Sequence, residues 1–275
     1  MTGEAPRRPS RVRAIGAIAR RDWRMQRSYQ FQLFMRVAQT FFVVASLSFS
    51  AKLVKDPPEL AEYRGNYFAF VLIGVSMLAF LTAGLRTFGA RLGEEQSLGT
   101  LEVVLASPVD LGTFLLGSLV VPFGMAMVSV VSFFGVGVVF FGARFPITGL
   151  LLAIPISLLT LACFSAIGIL SASFVLLTKR GDPIAVVASQ LATFLGGAFF
   201  PVQLLPHWLR WAAKLFPSYY SLQGLRSVLI GQGVDRAITP LLVLTAFAVV
   251  LLPASLWCFR WTVRTCMRLG TLGTY

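Results

Sequence analysis

The chain has 275 residues, 56% of them hydrophobic and only 13% charged, with a mean hydropathy of +0.77 and a formal charge of +13. Soluble domains average roughly 45–50% apolar and 25% charged residues, so a water-soluble globule is excluded for want of polar surface. The basic residues flank apolar runs without any DNA- or RNA-binding motif, so anionic lipid replaces nucleic acid as the expected partner.

In chain order, the first 29 residues are basic and polar. A secretory signal would place its apolar core nearer the start, before a small-residue cleavage site, so no cleaved leader is expected. Within "RVRAIGAIARRDWRMQRSYQ", Val12, Ile15, Ala19 and Trp23 recur at helical spacing, and Arg13, Arg20, Arg24 and Arg27 fall largely off that face. Arg20, Arg21, Trp23 and Arg24 mark a basic amphipathic helix suited to the inner headgroup layer, as a topology anchor or as a contact for a cytoplasmic partner.

Six apolar runs follow, at about Val37 to Val54, Tyr67 to Leu85, Leu111 to Phe141, Gly149 to Leu177, Pro183 to Phe200 and Pro240 to Phe259. About 20 apolar residues cross a bilayer, so the sequence predicts six transmembrane helices and an all-α membrane protein. The third run is the longest at ~46 Å and must tilt, project or break. Pro122, Pro155 and Pro253 are candidate kinks in the third, fourth and sixth. An even number of spans puts both termini on one side. That side holds 16 of the 24 Lys and Arg residues, which predicts cytoplasmic termini in the cell (inner) membrane. One domain, 1–275, is expected: an arm over 1–36, spans over 37–259 and a tail over 260–275. Gly181-Asp182-Pro183 reads as a tight inner turn. Cys163, Cys258 and Cys266 have no CxxC or metal spacing and read as packing residues.

Between Phe200 and Pro240 the chain is too broken by Pro201, Pro206 and Pro217 to span, yet too apolar to float free. A helix from about Leu205 to Phe216 is expected to dip back into the outer leaflet. Phe200, Pro201, Leu205, Pro206, Trp208 and Leu209 are candidates for shaping the exit or closing the outer end of a dimer. His207 has no partner ligand and sits beside Trp208 and Trp211, which favour headgroup depth.

The stretch "RLGEEQSLGTLEVVLASP", Arg91 to Pro108, is unlike its surroundings. It places Glu94, Glu95 and Glu102 between two apolar runs. On a helical wheel Leu98, Leu101 and Leu105 form a stripe, with Glu95 and Glu102 on one flank beside Gly99. Arg91 can reach Glu95 at i, i+4, and Ser107-Pro108 ends the segment. A helix resting on the negative inner leaflet would carry Lys and Arg there. Carboxylates suit a protein surface better, either a separate partner's or the chain's own spans.

"GEEQSLGTLEVVLASPV" resembles the cytoplasmic signature of type-2 ATP-binding-cassette (ABC-2) exporter membrane subunits. "GGAFFPVQLLPHWLRWAAKLFPSYYSLQGLR", Gly196 to Arg226, is similar to the outer segment of that family. The likeness implies a coupling helix that docks into a nucleotide-binding subunit and includes Glu94, Glu95, Gly99, Thr100, Leu101 and Glu102. It also implies a homodimer or a pair of related permease subunits, with ATP and Mg held by the partner ATPase and no cofactor bound by this chain. The amphipathic arm would be the interfacial connecting helix.

No lysine follows a glycine among Lys52, Lys55, Lys179 and Lys214, so a P-loop is lacking and no intrinsic ATPase is expected. The middles of the six runs lack ionisable residues, with Arg36, Arg86 and Asp182 at edges. That weighs against an ion-coupled secondary transporter, although backbone carbonyls can bind sodium. A membrane-embedded lipid-modifying enzyme would need a nucleophile–base pair or metal ligands, and none is evident. The expectation is a non-catalytic exporter subunit. With 24 Phe against 6 Tyr and 5 Trp, it leans towards a lipophilic drug, natural product or lipid-linked substrate.

Overall fold

Long apolar runs must satisfy their own backbone polar groups wherever water is excluded, and helices do this within one segment. The computed structural model describes residues 11–27, 30–53, 67–97, 111–178, 182–231, 233 and 235–269. These form α1 (Arg11–Arg27), α2 (Gln30–Leu53), α3 (Tyr67–Ser97), α4 (Leu111–Phe141) and α5 (Ile147–Thr178). Then come α6 (Pro183–Leu195), a 3-10 turn (Val202–Leu204), α7 (His207–Lys214), α8 (Pro217–Leu229) and α9 (Asp235–Leu269). No strand occurs among the described residues.

Among the described residues five helices are long and apolar enough to cross a membrane: Phe34–Leu53, Tyr67–Glu94, Gly117–Phe141, Ile147–Thr178 and Asp235–Arg268. The remaining expected span, Pro183 to Phe200, differs. Its helix α6 stops after 13 residues, ~20 Å, short of a hydrocarbon core of ~30 Å. Gly197 ends the run with a φ of +68°, a conformation that costs an L side chain but not glycine. Pro122, Pro155 and Pro253 lie inside α4, α5 and α9, which continue through them.

α3 is the central element. It packs against α5 and α4, and α5 packs in turn against α9 and α8. Of the apolar window in α3, 67% is buried, against 11% for α2, so α2 lies at the periphery. Small residues set the closest crossing. A Cβ on Gly84 would lie 2.8 Å from Phe164 Cβ, and one on Gly168 would lie 2.4 Å from the Gly84 carbonyl oxygen. The backbones of α3 and α5 therefore meet directly, the usual way for helices to associate where lipid removes the hydrophobic drive.

Contacts define two ends of the bundle. At the near end α1 meets the last turns of α3, and Phe88, Leu92, Ile169, Leu176, Phe259 and Val263 form a core cluster. Here Asp182 caps α6, accepting from the Ala185 N–H at 3.0 Å and from the Ser171 hydroxyl. Pro183 holds the first helical position, where its missing N–H costs nothing. At the far end the start of α3 meets the segment after α6, through a bond from Tyr67 Oη to the Phe199 carbonyl at 3.2 Å.

Candidate functional site

At the near end one carboxylate organises the arm. Asp22 is the only acid in α1, and it is 2% exposed. It pairs with Arg21 Nε at 3.3 Å and with the Arg91 guanidinium on α3. Arg91 also binds Glu94 at 3.1 Å. Arg91 is thus shared between Asp22 and Glu94, while the Glu95 side chain, expected within its reach, lies outside the described residues. This network fastens α1 to the last turns of α3. Ala19 and Ile15 are half-buried on the same side of α1 as Asp22, whereas Arg20, Arg21, Trp23 and Arg24 are exposed.

The acid-bearing segment begins differently from its expected form. α3 runs unbroken from Tyr67 to Ser97, twelve residues past the expected end at Leu85. Glu94 and Glu95 thus belong to the last turns of the second apolar helix, where Glu94 is exposed. The helix carries on because Arg86, Arg91 and Glu94 are good helix formers, even though the apolar run has ended. Leu98, Gly99, Thr100, Leu101, Glu102 and Leu105 lie outside the described residues.

The far end is built on a helical hairpin. Pro206 precedes α7, and Pro217 opens α8. The Thr160 and Ser221 hydroxyls meet at 2.7 Å, joining α8 to α5 thirteen residues in from Ile147, ~20 Å along that helix. Phe216 packs beside the cluster of Leu81, Leu85 and Phe164. At its other end α8 reaches the start of α5, where a Cβ on Gly149 would touch the Val228 carbonyl oxygen at 2.2 Å. So the hairpin enters the bundle at Phe216 and climbs back to the far end at Val228. Of the candidate residues, Pro201 and Leu205 are buried, Phe200 and Leu209 are half-buried, and Pro206 and Trp208 are exposed. Phe200 stacks edge-on against Phe194 with centroids 5.4 Å apart. Trp211 lies between His207, edge-on at 6.2 Å, and the Lys214 ammonium at 4.7 Å.

Arg226 holds this end together. It is 3% exposed, and its Nη2 donates to the carbonyls of Gly197 at 2.8 Å, Ala198 at 3.2 Å and Phe70 at 3.3 Å. Its guanidinium carbon lies 3.4 Å from the centroid of the Phe70 ring. One cation therefore binds the carbonyls freed where α6 ends and joins them to the start of α3. Composition and spacing did not mark Arg226. Its place at the end of the Gly196–Arg226 motif was the available signal. Asp22 carried a different one, a lone acid among arginines in "RRDWR".

An apolar groove of about 690 Å³ runs between α3, α4 and α5, with Phe80, Phe134 and Phe145 on its walls. Among the described residues no group of three or more His, Cys, Asp or Glu could hold a metal. Together these features define an α-helical, multi-pass membrane protein. Residues 36–257 match the model of a family described as ABC-2 family transporter protein. The chain is also 30% identical over 200 residues to nodulation protein J of Bradyrhizobium diazoefficiens, covering 71% of this chain and 74% of that protein. The chain belongs to the ABC-2 transporter family, a family of membrane transport subunits rather than catalytic ones. Such permeases normally work with an ATPase subunit.

Proposed function

We propose that this chain is the membrane subunit of an ATP-driven exporter, powered by a separate nucleotide-binding subunit. The family match across residues 36–257 carries the reading. Two copies, or one with a related permease, enclose the path. The near end faces the cytoplasm, as the excess of Lys and Arg there favours, and the membrane is the inner one. α6 and the hairpin of α7 and α8 together make up the fifth crossing, ahead of α9, with the hairpin re-entering from the outer leaflet. ATP and Mg are bound by the partner.

The coupling segment comprises Glu94, Glu95, Leu98, Gly99, Thr100, Leu101, Glu102 and Leu105. Its acids dock on basic residues of the ATPase. The Asp22–Arg91–Glu94 network supports this mechanism, because it would pass movement of that segment to α1 as well as along α3. The phenylalanine-walled groove fits a lipophilic drug, natural product or lipid-linked cargo.

The test is copurification with a P-loop ATPase, followed by assay of Glu95→Arg/Glu102→Arg. Reversing both charges is expected to abolish stimulation of ATP turnover while the membrane subunit still folds. Normal assembly and turnover in the double variant would remove the docking role.

A further inference from the structure

The near end also holds an open cavity of about 810 Å³, between α1, α2, α3 and α4, that the coupling reading leaves unused. Small side chains create it. Ala79, Ala83 and Ala90 on α3 face Pro122 and Ala126 on α4, too short to close the gap between two helices. Three arginines, Arg36, Arg86 and Arg91, share this space with two carboxylates, Asp22 and Glu94.

The charges do not cancel locally. Both carboxylates are engaged by Arg91, and Asp22 also by Arg21. Arg36 donates from Nη1 to the Ser129 hydroxyl at 3.4 Å, a neutral partner. Among the described residues Arg86 has neither a hydrogen bond nor an ion pair. Two guanidinium groups on different helices thus face one cavity, neither within ion-pair distance of a described carboxylate.

Their depth identifies the medium. Arg86 stands nineteen residues along α3 from Tyr67, ~28 Å. Arg36 stands seventeen residues along α2 from Leu53, ~25 Å. A hydrocarbon core is ~30 Å thick, so both cations lie near the boundary between near-end headgroups and acyl chains. Arginines at this depth reach the headgroup layer, where anionic lipid attracts them. The planar guanidinium fork matches phosphate oxygens, and Val121 and Met125 offer apolar wall beside it.

We propose that this cavity binds the phosphate headgroup of an anionic lipid from the near leaflet, held by Arg36 and Arg86, with the alanine-lined wall taking the first part of an acyl chain. The proposal is independent of ATP coupling, since binding is read on this chain alone.

The experiment measures binding of phosphatidylglycerol and phosphatidylcholine with identical acyl chains to the full-length chain in mild detergent, by native mass spectrometry. Preference for phosphatidylglycerol is expected. Each of Arg36→Gln and Arg86→Gln is expected to weaken its binding about fivefold, one surface cation's share of anionic-lipid attraction. Phosphatidylcholine binding is expected to stay unchanged. Arg36→Lys/Arg86→Lys is expected to keep most of the preference, which separates lost charge from lost fold. Arg210→Gln, an exposed arginine on α7 at the far end, is expected to change nothing. Undiminished preference in the Arg36 and Arg86 glutamine variants, or an equal loss in Arg210→Gln, would overturn the assignment. So would saturation of the site by inorganic phosphate with no lipid preference, which would make it a free-anion site.

Discussion

Two buried charges, Asp22 and Arg226, join segments far apart in sequence, and each makes a distinct prediction. Arg226 satisfies three carbonyls and stacks on Phe70 in one move. Hydrogen bonds to a charged group contribute ~1.5–3 kcal/mol, and a desolvated cation–π contact ~2 kcal/mol. Arg226→Leu is therefore expected to cost ~3 kcal/mol or more, read as a large fall in detergent melting temperature. Arg226→Lys should recover only part of that, because an ammonium keeps the charge but cannot lie flat on the ring. Asp22 is less isolated, since Arg91 retains Glu94. Asp22→Asn should cost ~2 kcal/mol, and the reversal Asp22→Arg/Arg91→Asp should restore a measurable part of it in a double-mutant cycle. No restoration would mean that α1 is held by its apolar contacts instead. Neither role was legible locally. The partners of Asp22 and Arg226 on α3 lie 69 and 156 residues away in sequence, and periodicity carries no information at that range.

Among elements, the α3–α5 crossing depends on having no side chain at Gly84 or Gly168. Gly84→Ala is expected to force the helices apart at a cost of ~1–3 kcal/mol. The contrast is Gly124 in α4, where an added Cβ meets nothing within 4 Å. There the same change should be neutral or stabilising by up to ~1 kcal/mol, since alanine favours helix. Equal melting temperatures for the two variants would show that the crossing is loose. The existence of the long helices was legible because unbroken apolar runs leave the backbone no other partner. Their ends were not. Hydropathy marks where lipid stops, and α3 continues as a helix for three more turns through Arg86, Arg91 and Glu94. α6 fails in the opposite sense. Its run stays apolar to Phe200, but Gly196 and Gly197 end the helix early, and Arg226 takes up the carbonyls left open. Proline spacing showed that the 200–240 segment could not span. It did not show that α8, rather than the tryptophan-bearing α7, is the more buried arm of the hairpin.

For the molecule as a whole, the two ends differ in chemistry, and the difference sets a test of orientation. The near end gathers Arg21, Asp22, Arg91 and Glu94 on one network, with further arginines exposed along α1. The far end presents Trp208 and Trp211 on the exposed face of α7, side chains that settle at headgroup depth. Force from a nucleotide-binding subunit can enter only at the end it can reach, so the proposed mechanism requires the near end to be cytoplasmic. In a background with Cys163, Cys258 and Cys266 replaced by alanine or serine, single cysteines at Arg13 and His207, both exposed, report the two ends. A membrane-impermeant maleimide applied to intact spheroplasts is expected to label His207→Cys and spare Arg13→Cys, and inverted vesicles should give the reverse. Labelling of both positions from one side would require an even number of crossings between them, the four of α2 to α5, leaving α6 and the hairpin without a combined crossing. Labelling in the inverted sense would place the acid-bearing segment after α3 outside the cell, away from any ATPase.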